Sequence, residues 1–264
     1  MNILDEIIVQ KKKEVLKLKN DYSITSFEEM ELFHKNNFSL INNIKNSKDI
    51  SIIAELKKQS PSKGVINKEF HYQNIVDTYF NSNIAGVSVL TDELFFGGNI
   101  NLLKKIAEKK KRPLLRKDFI IDIEQVYQSK AFGADVILLI CEALSPNQIK
   151  DLTYTAHKIN LEVLLELHSK DQINKIDFDI NKLIGINNRN LTDFSVDINS
   201  TISISQLIPD DVLIVSESGI NKEDDLRKLK SNNINAVLVG EYLMSSNNLN
   251  NDLKNLKKWC KVES

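Results

Sequence analysis

Apolar runs alternate with longer amphipathic stretches along most of this chain, beginning at residue 50. Eight short runs follow one another at intervals of roughly 20 to 35 residues, and each interval has helical periodicity. The runs cover residues 50–56, 86–90, 113–117, 136–140, 163–167, 183–187, 212–216 and 236–239. Nearly continuous apolar strands separated by helices are typical of a parallel sheet that is covered on both faces.

Eight strand–helix units indicate a closed barrel rather than an open sheet. The chain has no G-x-G-x-x-G after its first run and no P-loop, so it lacks the commonest signatures of open nucleotide-binding sheets. A barrel of this kind commonly occupies about 250 residues as one domain. The sequence therefore predicts an α/β protein, a (β/α)8 TIM barrel, in which residues 1–264 form a single domain.

The residues before the first run predict an N-terminal helical extension, residues 1–48, that packs onto the barrel. Positions 2–18 have amphipathic periodicity, and the polar-rich segment 25–47 is also expected to be helical. Candidates for the buried stripe of the first segment are Ile3, Ile7, Ile8, Val15 and Leu16. The polar stretch 245–255 is interpreted as the start of the last helix.

Composition narrows the class of protein. Hydrophobic residues make up 42% of the chain and charged residues 27%, as in an ordinary globular protein. The formal net charge of −1 gives no overall attraction to nucleic acid or to an anionic membrane, so a local cluster must bind any anionic ligand. Cys141 and Cys260 form no CxxC motif, and the N-terminus has no apolar core of a signal peptide. We expect a cytoplasmic monomer or weak homodimer that binds neither nucleic acid nor membrane.

Charged side chains end several of the predicted strands, on the face that would point into the barrel. Side chains alternate along a strand, so residues two apart share a face, and the chemistry of such barrels lies at the C-terminal strand ends. The inward candidates are Glu55, Lys57, Lys117, Glu166, Asn187, Arg189 and Glu217. Any one of them could form a structural ion pair, but burying so many charges without a ligand is costly. Together they predict a catalytic cluster at the barrel mouth.

Two glycine dipeptides indicate a phosphate site beside this cluster. Ser218-Gly219 follows the seventh run and Gly240-Glu241 follows the eighth, where such barrels often bind phosphate. Glycine lets the backbone approach an anion closely, and amides at a helix start can donate to it. The alternative is that both dipeptides only form tight turns.

An aromatic pair, Phe95 and Phe96, follows the second run on a predicted loop. It would form either a hydrophobic cluster under that loop or an apolar wall for an aromatic substrate. The four histidines show no metal-ligand spacing, and His168, just past the fifth run, is interpreted as a loop histidine. Ser60 and Ser62 are better candidates for binding hydroxyls than for nucleophiles, because the sequence shows no Ser/His/Asp arrangement.

The motifs at the strand ends resemble those of indole-3-glycerol-phosphate synthases. The segments occur in order along the chain: IIAELKKQSPSKG, VLTDELFFGGN, LLRKDFI, LLELHS, IGINNRNL, VSESGI and VLVGEYLM. The first, third and sixth strand motifs are the most specific, whereas SESG and VGE also occur in other phosphate-binding barrels. An N-terminal helical extension is likewise typical of that family, so the resemblance covers nearly the whole chain.

The resemblance implies a lyase that needs neither cofactor nor metal. Its substrate would be 1-(2-carboxyphenylamino)-1-deoxyribulose 5-phosphate, converted to indole-3-glycerol phosphate with loss of carbon dioxide and water. Lys117 would be the general acid on the substrate carbonyl oxygen, and Glu166 would handle the later proton removal and dehydration. Glu55 and Asn187 would position or polarise the reacting groups, and Lys57 would bind an anionic group and stabilise developing charge.

The resemblance also implies the substrate-binding residues. Arg189 would pair with the substrate carboxylate or hold the acidic residues in place. The phosphate would be received by Ser218, Gly219, Gly240 and Glu241, the last two through their backbone amides. The aromatic pocket would be lined by Ser60, Leu90, Phe96 and Phe119. Tyr242 and Gln59 depart from the family pattern, near the phosphate loop and among the possible anion contacts respectively.

Two other functions remain as alternatives. Phosphoribosylanthranilate isomerase, another phosphate-binding barrel enzyme, would rely on a Cys/Asp acid–base pair, and Cys141 lies just past the fourth run without an evident partner. A non-catalytic phosphate-binding barrel would retain the glycine loops and lose the inward lysines and glutamates, which this sequence has kept.

Overall fold

Eight parallel strands close into a barrel in the computed structural model, which describes residues 3–61, 63–66, 69–191 and 193–261. The candidate binding residue Ser62 lies outside these described residues. Each strand pairs with its neighbours along the chain, and the first pairs with the last. The barrel strands are β1 (Ser51–Leu56), β2 (Gly86–Leu90), β3 (Leu114–Lys117), β4 (Val136–Ile140), β5 (Glu162–Leu167), β6 (Leu183–Asn187), β7 (Leu213–Glu217) and β8 (Ala236–Val239). A separate antiparallel pair of short strands, Gln59–Ser60 and Gly64–Val65, follows β1. The predicted (β/α)8 barrel is confirmed, with every strand end within one residue of its apolar run.

Helices surround the barrel and precede it. The helices are α1 (Ile3–Asp21), α2 (Ile24–Glu28), α3 (Leu40–Lys45), α4 (Tyr72–Phe80), α5 (Ile100–Ala107), α6 (Ile123–Ala131), α7 (Pro146–Lys158), α8 (Asn199–Ser205), α9 (Glu223–Lys230), α10 (Glu241–Met244) and α11 (Leu249–Cys260). Between β5 and β6 the connection contains a 3-10 helix, Lys170–Lys175, in place of an α-helix. Within the described ranges, no helix has the length and apolar character needed to cross a membrane.

The N-terminal extension differs from its prediction in two respects. Segment 25–47 is not one helix: a 3-10 turn, Glu31–His34, separates α2 from α3, and Ser23 and Ser39 cap the two short helices. The side chain of each serine accepts a hydrogen bond from a free backbone amide in the first helical turn. These caps favour two separate helix starts over one continuous helix. The predicted stripe of α1 was also partly wrong, because Leu16 is 65% exposed.

The buried face of α1 consists of Leu4, Ile7, Lys11 and Val15, spaced three or four residues apart. Leu16 follows Val15 by one residue, a rotation of about 100° around the helix, and so points away from the barrel. At the other end of the chain, the stretch 245–255 contains a turn before α11 begins at Leu249, with Asn248 as its N-cap.

The apolar core has two layers that follow the alternation of side chains in the strands. In β1, Ala54 and Leu56 face the surrounding helices, whereas Ile53 faces the barrel interior. The interior layer also contains Leu40 and Ile44 of α3, which pack against its lower end. The barrel is therefore filled with aliphatic side chains except toward the C-terminal ends of its strands.

The carboxylate of Glu162, the first residue of β5, holds α3 in this position. It accepts hydrogen bonds from the backbone amides of Leu40 at 2.9 Å and Ile41 at 3.0 Å. A carboxylate at a helix N-terminus satisfies free amides and interacts favourably with the helix dipole. Through α3 the extension thus closes the bottom of the barrel, the end opposite the C-terminal ends of the strands.

Candidate active site

A cavity of about 600 Å³ opens at the C-terminal ends of the strands. All fifteen site residues predicted from the sequence line it: Glu55, Lys57, Ser60, Leu90, Phe96, Lys117, Phe119, Glu166, Asn187, Arg189, Glu217, Ser218, Gly219, Gly240 and Glu241. Such a volume suits a small organic substrate. The structure thus brings the predicted residues together, while their individual roles stay predictions.

Strand geometry explains why the charged side chains converge. Lys117 lies two residues beyond Leu115 in β3, and Glu166 two beyond Leu164 in β5. Glu217 likewise lies two beyond Val215 in β7. Those apolar residues all belong to the interior layer, so the charged residues stand on the same inward face, one layer nearer the mouth. This polar layer packs directly against the aliphatic core inside the barrel.

Lys117 is held between two carboxylates at the centre of this layer. Its Nζ lies 2.7 Å from Glu166 Oε2 and 3.3 Å from Glu217 Oε2. Burial alone would lower the pKa of Lys117, but Glu166, Glu217 and the charge of Glu55 outweigh it and raise that pKa above its ordinary value. Lys117 is therefore protonated at neutral pH.

Glu166 and Glu217 have opposite pKa shifts although they share this lysine. Burial alone would raise the pKa of Glu166, but the charge of Lys117 overcomes it and holds that pKa well below its usual range. Burial raises the pKa of Glu217 well above its ordinary value, and the adjacent negative charge of Glu166 adds to the effect. The pair thus contains one carboxylate that stays ionised and one that tends to hold a proton.

His168 contacts the same cluster, which its interpretation as a loop histidine did not foresee. Its side chain is only 7% exposed, and Nε2 lies 3.4 Å from Glu166 Oε1 while Nδ1 lies 3.7 Å from Glu142 Oε2. The alternation 164, 166, 168 could have placed His168 on the inward face. Nothing in the local pattern, however, indicated that the alternation continues past the end of the strand.

A second ion pair joins Glu55, in β1, to Lys57, the first residue after that strand. Lys57 Nζ is 2.8 Å from Glu55 Oε2. The Glu55 carboxylate packs against Gly240, where an added Cβ would lie 2.1 Å from Oε2, and Glu217 packs in the same way against Gly185, at 2.2 Å from Oε1. Two glycines therefore provide the space that two buried carboxylates occupy.

The loops after β6, β7 and β8 form another side of the cavity. Ser218 and Gly219 both have left-handed backbone conformations, with φ of 67° and 81°. The Glu241 carboxylate pairs with Lys63 and, at 3.5 Å, with Arg189. Arg189 also donates from its backbone amide to Asn187 Oδ1 at 3.1 Å. Cations and a tight glycine turn thus meet where the sequence predicts phosphate binding.

Aromatic and aliphatic side chains line the cavity next to Lys117. The rings of Phe96 and Phe119 lie 6.1 Å apart between centroids, and Leu90 lines the cavity at the end of β2. Of the two phenylalanines predicted on this loop, Phe96 lines the cavity and Phe95 does not belong to the lining. The apolar wall therefore consists of Phe96 from one loop and Phe119 from the next.

Comparison with known proteins identifies the group to which this site belongs. The family model described as indole-3-glycerol phosphate synthase matches residues 4–256. The chain belongs to the indole-3-glycerol phosphate synthase family. It is a decarboxylating lyase of tryptophan biosynthesis that acts on a phosphorylated small molecule, as the sequence predicted.

Similar proteins extend over nearly the whole length of the chain. The indole-3-glycerol phosphate synthase of Endomicrobium trichonymphae is 41% identical, covering 97% of this chain and 99% of its own. That of Acetivibrio thermocellus is 40% identical with the same coverage. Among solved structures, 3-hexulose-6-phosphate synthase from Salmonella typhimurium has a TM-score of 0.62 at 12% identity, covering 80% of this chain and 98% of its own. The structural likeness shows the fold alone.

Sequence reasoning did not predict which residues of α1 contribute to the site of this family member. Ile3, Leu4 and Ile7 line the cavity, so the first helix forms part of its wall. The apolar periodicity of α1 was visible in the sequence, but nothing in it indicated which surface of the barrel the stripe would contact. Amphipathic periodicity identifies a buried face without identifying its partner.

Cys141 does not contribute to the cavity. Its side chain belongs to the layer between strands and helices, and it follows Ile140, which faces inward. Burial raises the pKa of the Cys141 thiol to about 12. This placement does not suit the Cys/Asp acid–base pair of the isomerase alternative.

Proposed function

We propose that this chain closes the indole ring of 1-(2-carboxyphenylamino)-1-deoxyribulose 5-phosphate with Lys117 as general acid and Glu166 as second proton-transfer group. The observation that supports these roles best is the single ammonium group held 2.7 Å and 3.3 Å from two buried carboxylates. Ring closure onto a carbonyl needs an acid at its oxygen, and dehydration needs a second group that transfers protons.

Lys117 fits the first role because its raised pKa keeps it charged until the substrate arrives. As the carbon–carbon bond forms, the ammonium gives its proton to the carbonyl oxygen, which would otherwise become an alkoxide. The neutral amine that remains lies next to Glu217, whose raised pKa favours its holding a proton. We assign Glu217 the support of this proton transfer.

Glu166 fits the second role because its lowered pKa keeps it ionised and able to accept a proton. It would take the proton that leaves carbon during dehydration, after carbon dioxide has been lost, and give that proton to the departing hydroxyl group, which leaves as water. Glu55 and Asn187 would orient the reacting groups, and Lys57 would bind an anionic group and stabilise developing charge. The apolar residues near Lys117 favour decarboxylation because they limit hydration of the substrate carboxylate.

The two ends of the substrate would occupy opposite kinds of surface. The phosphate would lie against Ser218, Gly219, Gly240 and Glu241, with Arg189 beside them. The aromatic ring would lie against Leu90, Phe96 and Phe119, near Ser60. A phosphate needs donors and positive charge, and an aryl ring needs apolar contact, so the observed partition of the lining matches the two ends of this substrate.

The deciding variant for the acid is Lys117→Met. We expect kcat to fall by a factor of about 10² to 10⁴, with the dissociation constant of indole-3-glycerol phosphate changed by less than about threefold. Lys182→Met, which removes a partly exposed lysine paired with Asp211, is the matched control and should leave both values unchanged. Normal turnover by Lys117→Met would exclude Lys117 as the acid.

The overall reaction is tested by the rise of indole fluorescence when purified protein meets the carboxyphenylamino-deoxyribulose phosphate in the presence of EDTA. A rise supports ring closure without a metal ion. Correctly folded protein that gives no rise but binds inorganic phosphate would favour the non-catalytic phosphate-binding barrel instead.

We also infer that the chain acts in the cytoplasm as a monomer or weak homodimer and binds neither nucleic acid nor membrane. The near-neutral formal charge of −1 supports the absence of polyanionic partners. Sedimentation equilibrium over a hundredfold range of concentration tests the assembly state, and a species larger than a dimer would contradict it.

A further inference from the structure

One lysine of α1 is buried between the helix and the barrel. Lys11 is 2% exposed and occupies the stripe of α1 that otherwise contains Leu4, Ile7 and Val15. Its Nζ lies 2.9 Å from Asp92 Oδ2, 2.9 Å from Asp118 Oδ1 and 2.7 Å from Glu14 Oε2. A buried ammonium is stable only when carboxylates compensate its charge, so α1 and these two barrel loops depend on one another.

Each of the two barrel aspartates also holds the backbone of an aromatic residue in the cavity wall. Asp92 Oδ1 accepts hydrogen bonds from the amides of Phe95 at 2.8 Å and Phe96 at 3.1 Å. Asp118 Oδ1 accepts one from the amide of Phe119 at 2.8 Å. Lys11 therefore links the two loops from which the Phe96 and Phe119 rings project.

The two aspartates do not depend on Lys11 equally. Asp118 Oδ2 has two further partners, Arg116 at 2.9 Å and the hydroxyl of Thr91 at 2.5 Å. For Asp92 Oδ2, no hydrogen bond is found within the described part of the chain, and its ion pair with Lys11 supplies the compensating charge. Removing Lys11 would therefore disturb chiefly the Asp92 loop and, with it, Phe96.

We propose that Lys11 is a positioning residue for the aromatic end of the substrate. It braces the Asp92 and Asp118 loops against α1 and so fixes the spacing and tilt of the Phe96 and Phe119 rings. Lys11 does not line the cavity itself, whereas Ile3, Leu4 and Ile7 of the same helix do. The inference rests on the proposed assignment of this wall to the aryl ring, and it makes α1 a fixed wall of the site.

The test compares two lysine variants on one helix. Lys11→Met removes the buried cation, and Lys19→Met removes a lysine that is 42% exposed and paired with Asp122 at 2.9 Å. Anthranilate and inorganic phosphate serve as competitive probes for the two ends of the site. We expect Lys11→Met to raise the inhibition constant of anthranilate about tenfold and that of phosphate by less than about twofold. Lys19→Met should change neither constant.

This pattern separates positioning from stability alone. If Lys11 only stabilised the fold, Lys11→Met would lower the active fraction and the melting temperature but leave both inhibition constants unchanged. The double variant Lys11→Met/Asp92→Asn removes the charge left by the single change and protects the test against failure to fold. It should show the same weakened anthranilate binding, and wild-type anthranilate binding by this double variant would overturn the proposal.

A third variant, Phe96→Leu, separates the positioning role of Lys11 from the proposed assignment of the aromatic wall to the aryl ring. Unchanged anthranilate inhibition in Phe96→Leu would refute the assignment of the wall to the aryl ring. Weakened inhibition in Phe96→Leu together with normal inhibition in Lys11→Met would leave that assignment standing and overturn the role of Lys11.

Discussion

Replacement of Gly185 by alanine is the sharpest test of how closely the site is packed. Gly185 lies inside β6 on the inward face and does not have a positive φ, so alanine strains no backbone angle there. An added Cβ would lie 2.2 Å from Glu217 Oε1, whereas such atoms do not approach closer than 3.0 Å. The Glu217 carboxyl would have to retreat by about 1 Å, a shift that can reduce catalysis about 10²-fold.

The expected result is a large loss of kcat with a small loss of stability. Only the end of one side chain has to move, so the free energy of unfolding should fall by about 1 kcal/mol, the low end for overpacked cores. Indole fluorescence measures kcat, and urea denaturation measures stability. Two-state unfolding with an unchanged m value would show that the fold is intact.

The change has to act through Glu217 for this reasoning to hold. Glu217→Gln keeps the shape of the side chain, so the steric conflict with the added methyl group persists in the double variant. We expect Gly185→Ala to cost the same stability in that background but to cause no further loss of kcat. The contrary results are equal losses of kcat from Gly185→Ala in the wild-type and Glu217→Gln proteins, or no loss in the wild-type protein. Either result would refute the link between the space beside Gly185 and catalysis.

Three further predictions concern the Cys141 thiol, the packing of α3 at the bottom of the barrel and the buried ion pairs of Asp118. Cys141 should not react with an aromatic disulfide reagent at pH 8 until the protein is unfolded, and Cys141→Ser should retain normal turnover, because its thiol is buried with a pKa of about 12. Leu40→Ala should lower the free energy of unfolding by about 2–5 kcal/mol in urea, against less than about 0.5 kcal/mol for the exposed Leu207→Ala. Burial alone would raise the pKa of Asp118, but Arg116 and Lys11 hold it below its ordinary value, so its stabilising effect is present above about pH 4 and is lost at lower pH. Lys11→Met should therefore move acid unfolding, followed by circular dichroism, to higher pH.

The barrel and the inward charges could be predicted because both follow from periodicity. Apolar runs mark the strands, and alternation from Leu115 to Lys117 or from Leu164 to Glu166 assigns a charged side chain to the interior. Parallel strands bring their C-terminal ends together, so side chains far apart in sequence meet at one mouth. These inferences need only local pattern and the closure of the sheet.

What could not be predicted depends on contacts between distant segments. Lys11 is the first of three consecutive lysines, and the sequence does not distinguish it from Lys12 and Lys13. Only the packing of α1 on the barrel shows that Lys11 contacts Asp92 and Asp118, whereas Lys12 and Lys13 are exposed. The opposite pKa shifts of Glu166 and Glu217 were equally inaccessible, because they depend on distances to Lys117 and on burial. Local pattern does not determine either quantity.

The buried position of Glu217 sets the thermal stability of this family member against its turnover. A buried carboxyl with a raised pKa weakens the folded state above the pKa of the unfolded chain, because ionising it in the interior is unfavourable. Glu217→Gln should therefore raise the melting temperature at pH 7 while it lowers turnover. Directed evolution for heat resistance alone would favour neutral residues at this position, at the expense of the proton transfer proposed for Glu217.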